Sequence, residues 1–218
     1  DREFTALREA LASYATRSHR QGTLDASMVW AANGSNEVIQ QVLQAFGGQG
    51  RSVLGFPPSY SMHPIIAEST GTTWSVGSRE QDFSLTPAGV ESAIRLTRPD
   101  VVFLCAPNNP TGTVTSLGEL ETILSHTQGK ALVVVDEAYI EFVLETQGTA
   151  YSLLAHDNLI VLRTMSKWSG LAGLRCGYAI SCNVPLLRAM MSTKQPYHLT
   201  IPANAASVAA FQHADAIM

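Results

Sequence analysis

Cysteine is scarce in this sequence, and nothing about its placement suggests chemistry. Cys105, Cys176 and Cys182 are three among 218 residues, an odd number without CxxC spacing, which argues against a disulfide framework and against a thiol redox motif. Cys105 lies inside an apolar run, where a buried inert thiol is expected. The histidines His19, His63, His126, His156, His198 and His213 form no pair at metal-ligand spacing, so no metal site is predicted. His63 and His198 read as packing or substrate-side residues. Runs of positive charge are missing: 14 basic residues are scattered singly and the formal net charge is −4, which leaves no electrostatic footprint for nucleic acid or an anionic membrane. No apolar stretch approaches the ~18 residues of a spanning helix, and Asp1-Arg2-Glu3 lacks the form of a signal peptide, so a cytoplasmic location is expected. Neither GxGxxG nor GxxxxGK[ST] occurs, which counts against a doubly wound nucleotide-binding domain. Asn33-Gly34-Ser35 matches a glycosylation acceptor by letter alone. These absences leave a small-molecule partner.

What is present is a folding composition, 45% apolar and 15% charged. Phe4, Leu7, Leu11, Tyr14 and Ala15 fall at helical spacing, predicting an amphipathic helix over 2–18. Further helices are predicted at 36–46, 60–69, 87–97, 117–126, 185–194 and 203–213. Between them lie 52–56, 101–105, 132–135 and 159–162, apolar runs without polar alternation, as in strands buried on both faces. The alternation predicts an α/β fold, a mostly parallel sheet with helices on both faces, with no internal domain boundary. Ligands of such sheets bind beyond the carboxyl ends of the strands. The segments found there are polar: Pro107-Asn108-Asn109-Pro110-Thr111-Gly112, Asp136-Glu137-Ala138-Tyr139 and Arg163-Thr164-Met165-Ser166-Lys167.

Each candidate residue has a plain reading beside a chemical one. A lysine held against an apolar wall is driven toward the neutral amine that attacks carbonyls; Lys167, followed by Trp168, is such a candidate, or else a surface lysine at a strand end. Asp136 ends a buried strand and so requires a partner: a helix cap, a salt bridge, or a pyridinium nitrogen whose protonation a carboxylate would maintain. Gly34-Ser35-Asn36 precedes the periodic Val38, Ile39, Val42, Leu43 and Phe46 and marks a helix amino end, where Ser35 or Asn36 acts as a cap or the backbone receives a phosphate. Thr164, Ser166 and Arg175 can close on the same phosphate, Arg175 through paired donors.

In order and spacing these segments resemble the fold-type I pyridoxal-phosphate-dependent aminotransferases, with 27 residues from Asn109 to Asp136, 31 from Asp136 to Lys167, and Arg175 eight beyond. Within them the chain is most similar to the histidinol-phosphate aminotransferase family, through Asn33-Gly34-Ser35-Asn36-Glu37, Pro57-Pro58-Ser59-Tyr60, Asp136 to Phe142 and Arg163 to Lys167. The resemblance implies that pyridoxal 5′-phosphate is the cofactor and that Lys167 forms its Schiff base. It further implies that Asp136 pairs with the pyridine nitrogen, Asn109 and Tyr139 bond the phenolic oxygen, and Tyr60 stacks on the ring. Ser35, Asn36, Thr164, Ser166 and Arg175 would hold the phosphate. Lys167, once displaced by the substrate amine, would move a proton between the substrate carbon and the cofactor; histidinol phosphate would be the amino donor and 2-oxoglutarate the acceptor, in a cytoplasmic homodimer. Residues 1–218 would be the cofactor-binding large domain, with an amino-terminal arm and a carboxy-terminal small domain lying outside this stretch. An aromatic amino-acid aminotransferase or threonine-phosphate decarboxylase of the same fold, or a catalytically incomplete cofactor-binding fragment, remain the alternatives.

Overall fold

The computed structural model describes residues 3–19, 23–143 and 148–217; Asp1 and Arg2, where the first predicted helix begins, lie outside them. Among the described residues, one sheet is built from β1 (Val29–Ala32), β2 (Ser52–Gly55), β3 (Thr73–Val76), β4 (Val101–Cys105), β5 (Leu132–Asp136), β6 (Leu159–Thr164) and β7 (Gly177–Ile180), in the order β1-β7-β6-β5-β4-β2-β3. The run from β6 to β3 is parallel, and β7 is antiparallel to both β6 and β1. The mostly parallel α/β fold expected from the sequence is therefore present.

The central strands are apolar on both faces because each face is covered by helices. Val102, Leu104, Val133, Val135, Leu159 and Val161 enter one core, beneath α1 (Thr5–His19), α4 (Pro87–Thr97), α5 (Leu117–Thr127) and α7 (Ile201–Gln212). The intervening Val101, Phe103, Val134, Ile160 and Leu162 enter the other, beneath α2 (Ser35–Phe46), α3 (Met62–Ser69) and α6 (Val184–Met191). This period of two is the pleat itself. A short α8 (Ala214–Ile217) follows α7. Helix starts are written locally: Thr86 caps α4 ahead of Pro87, and Ser116 with Glu119 forms a capping box on α5.

Three strands escape the sequence reading. β3 is an edge strand with exposed Thr73 and Val76, β7 opens on glycine, and β1 pairs with β7 alone, so each owes its strand to its partner more than to its own composition. β1 is also an edge strand, yet wholly buried. Arg8 Nε donates to Val29 O at 2.8 Å and His198 Nε2 lies 3.1 Å from Ala31 O, so outward carbonyls of this edge are satisfied by side chains. His198 is thus a packing residue, stacked on Trp30.

Candidate active site

Ala32 of β1 and Thr164 of β6 both stand opposite Gly177 of β7, which brings the carboxyl ends of β1 and β6 to the edge where β4 and β5 also end. A cavity of about 170 Å³ opens there. All ten candidate residues line it, from Ser35, Asn36 and Tyr60 through Asn109, Asp136 and Tyr139 to Thr164, Ser166, Lys167 and Arg175. Cys105, Ala138 and Ala172 complete the wall.

One end is built for an anion. Gly34 is the N-cap of α2 at φ 82°, with no side-chain cap bond, so the capping reading of Ser35 and Asn36 is corrected. The guanidinium of Arg175 lies directly against Gly34, where a Cβ would overlap it. A Cβ on Gly177 would in turn overlap Ser35 N and the Gly34 carbonyl carbon. Two glycines therefore let strand, arginine and helix terminus converge. Arg175 holds the left-handed φ of 58°, an unfavourable backbone state for a side-chain-bearing residue, and this aims its side chain back over the helix end. Beside it Thr164 Oγ1 donates to Ser166 Oγ at 2.9 Å and accepts from Ser166 N at 3.1 Å. Hydroxyls, a guanidinium and a helix amino terminus together form a phosphate-type cradle.

A buried carboxylate lies elsewhere in the same cavity. Asp136, on the α2/α3 face of the sheet, is 2% exposed. Its Oδ1 accepts from Ala138 N at 3.1 Å, and its Oδ2 lies 3.2 Å from Nε2 of His63, itself 2% exposed and stacked on Phe103. A carboxylate only accepts, so His63 donates through Nε2–H. The partner demanded by Asp136 is thus a histidine of α3. His63, expected to be a packing or substrate-side residue, is packed on Phe103 and also partners Asp136; its position three residues after Tyr60, on the first turn of a helix, is the local signal for that role.

Lys167 corrects another expectation. It lies beyond the end of β6 in a turn, is exposed, and its Nζ stands 4.9 Å from the centre of the Tyr139 ring. Trp168 supplies no apolar wall here, for it turns into the core and stacks on Tyr14. The loops bearing Tyr60 and Asn109 are tied by buried Asn108, whose amide nitrogen donates to Pro58 O (3.0 Å) and Thr111 Oγ1 (2.7 Å) while its oxygen accepts from Ser59 Oγ and Arg79 Nη2, each at 2.9 Å. Tyr60 OH donates to Asn36 Oδ1 at 3.0 Å, joining this loop to α2. Burial pushes the Cys105 thiol up to about 12, so the cysteine in the wall is an inert surface, as expected. Among the described residues no cluster of metal-ligating side chains occurs, and no helix is long and apolar enough to cross a membrane.

An anion cradle, a buried carboxylate and a primary amine in one cavity suit a ligand that carries a phosphate, a basic ring nitrogen and a carbonyl. The family model described as aminotransferase class I and II matches residues 1–218. The chain is 47% identical over 219 residues to the histidinol-phosphate aminotransferase of Thermobifida fusca (strain YX), and 46% identical over 220 residues to that of Paenarthrobacter aurescens (strain TC1); each alignment covers 100% of this chain and 58% of the relative. The chain therefore spans a little over half the length of these curated relatives. Among solved structures, the histidinol-phosphate aminotransferase from Sinorhizobium meliloti in complex with pyridoxal-5′-phosphate superposes with a TM-score of 0.90 at 23% identity, over all of this chain and 57% of that one, a likeness of fold.

Proposed function

Because the chain belongs to the class I and II aminotransferase family, we propose that its cavity holds pyridoxal 5′-phosphate and that the protein moves an amino group from histidinol phosphate to 2-oxoglutarate, in histidine biosynthesis. One observation carries the reading: the cradle of Ser35, Asn36, Ser166 and Arg175, the buried Asp136 and the amine of Lys167 line a single cavity, where the glycines at 34 and 177 leave no room for side chains of their own. In this reading residues 1–218 form the cofactor-binding large domain. The amino donor is supported by 46–47% identity to two histidinol-phosphate aminotransferases, and a cytoplasmic homodimer by the resemblance alone.

Bound there, the cofactor supplies a carbonyl for covalent capture of amines and a ring that withdraws electrons from the attached carbon. Ser35, Asn36, Thr164, Ser166 and Arg175 would hold its phosphate, Arg175 through paired donors. Asp136 would keep a proton on the ring nitrogen, with His63 orienting it by donating to Oδ2. Asn109 and Tyr139 would donate to the phenolic oxygen, and Tyr60 would cover a ring face. Lys167 Nζ would be the amine that holds the carbonyl, and the same nitrogen, once free, would take up and return a proton at the substrate carbon. Its place in an exposed turn, and not in a packed strand, gives the side chain room for both tasks.

Borohydride reduction after addition of pyridoxal phosphate, followed by peptide mapping, should find the label on Lys167; a label on another lysine refutes the site. Specificity constants for histidinol phosphate, phenylalanine and tyrosine, measured for this chain and for a version extended to the relatives' length, should be largest for histidinol phosphate. A larger constant for phenylalanine would assign the protein to the aromatic aminotransferases.

A further inference from the structure

Directly behind the cavity lies a buried ionic cluster that the reaction does not use. The pleat sends Asp136 and Thr164 into the cavity and their chain neighbours Glu137 and Arg163 to the opposite face. There Arg163 Nε and Nη2 donate to Glu137 Oε2 at 3.0 and 2.8 Å, Nη2 also to Thr149 Oγ1 at 2.7 Å, and Nη1 to Glu141 Oε1 at 3.3 Å. Glu137 is completed by Thr149 Oγ1 (2.7 Å) and Ala150 N (2.6 Å). The guanidinium lies 3.9 Å above the centre of the Tyr151 ring. The side chains of Arg163, Glu137 and Glu141 are 4%, 2% and 6% exposed.

One buried cation thus faces two carboxylates, and burial pushes the Glu141 carboxyl above its ordinary value despite Arg163. Such a cluster is a poor way to stabilise a sheet, since apolar residues of similar volume often do as well or better. What it adds is direction. Glu137 and Glu141 bracket Tyr139, and a planar fork can engage both at fixed angles as a lysine cannot.

We propose that Arg163 is a positioning residue which, by gripping Glu137 and Glu141, holds the Asp136–Tyr139 turn in place beside Lys167. The proposal rests on the reading of the cavity given above. Replacing Arg163 would strand two carboxylates and risk the fold, so the test cuts one arm of the clamp. In Glu141→Ala, amide exchange in the cofactor-free chain should accelerate by about tenfold or more at Ile140 and Phe142, whose N–H groups bond to Glu137 O and Tyr139 O at 3.2 and 3.1 Å, while the amides of β4 keep wild-type rates. Glu141→Gln retains an acceptor for Nη1 and should restore slow exchange. With pyridoxal phosphate added, the pH midpoint of the absorbance band of the Lys167-attached cofactor should move in the alanine variant and not in the glutamine variant, with affinity for inorganic phosphate unchanged in both. Wild-type exchange at Ile140 and Phe142 in Glu141→Ala, acceleration spread equally over β4, or an unmoved midpoint would overturn the proposal. If wild-type Lys167 traps no cofactor, the reading of the cavity fails, and the exchange rates still decide for or against the clamp.

Discussion

Replacing Gly177 with alanine puts the anion cradle to a direct test. The added methyl would land on Ser35 N and the carbonyl carbon of Gly34, backbone atoms at the first turn of α2 that have no rotamer through which to yield. Either β7 shifts, which strains its pairing with both β1 and β6, or the helix end moves out of the cavity. Overpacking of this kind costs about 1–3 kcal/mol of stability. Loss of a backbone hydrogen bond to a charged group costs about 1.5–3 kcal/mol of binding, which raises Kd by about tenfold to a hundredfold. Gly173→Ala is the matched control, because nothing lies within 4 Å of its added Cβ and it belongs to the turn just before Arg175. Titration calorimetry with inorganic phosphate and with pyridoxal phosphate, beside thermal unfolding, should show weakened binding of both ligands and a lowered Tm for Gly177→Ala, and neither change for Gly173→Ala. Wild-type affinity for both ligands in Gly177→Ala would refute the assignment of the α2 terminus as the cradle.

Other outcomes follow from the same geometry. Asp136→Ala should slow single-turnover amine transfer by about a hundredfold, about 3 kcal/mol, while cofactor still attaches to Lys167; a near-normal rate would remove Asp136 from the chemistry. A thiol reagent on the native chain should label exposed Cys182 and spare buried Cys105 and Cys176, whose thiols burial pushes up to about 12 and about 11; rapid labelling of all three without denaturant would contradict the packing. The folded state holds the Glu141 proton more tightly than the unfolded chain does, so the associated stability is full below the ordinary glutamate value of about 4.3 and is lost as pH rises through the raised one. Glu141→Gln, neutral throughout, should therefore melt above wild type near pH 7, with the advantage shrinking toward pH 4; a gap independent of pH would show that Glu141 does not titrate differently on folding.

The parts legible in the sequence are those whose signal is local. Val101–Cys105 and Leu132–Val135 announce doubly buried strands by composition, and the polar residues after them had to serve something other than the core, which is why Asn109, Asp136 and Lys167 stood out. The parts that stayed hidden depend on distant partners. β1 and β7 define each other by pairing across the length of the chain, and no window around Val29 or Gly177 contains that information. The pairing of His63 with Asp136 depends on where α3 sets the ring, and that of Glu137 with Arg163 on β5 and β6 lying side by side. The neighbourhood of Lys167 was misjudged for a related reason: Trp168 is adjacent in sequence, but a turn sends the two side chains to different surroundings, one exposed and one buried.

The cradle joins residues from Ser35, near the start of the chain, to Arg175, across a sheet that both threads must complete. Loop-closure entropy must be met before such distant segments reward one another, and a chain in which β1 and β7 are unpaired has nothing equivalent to offer a phosphate. Any anion that occupies it therefore draws the folding equilibrium forward by RT ln(1 + [L]/Kd). The midpoint of unfolding should climb with ligand concentration, even for a ligand as plain as inorganic phosphate, which makes the arrival of β7 beside β1 an event that can be titrated.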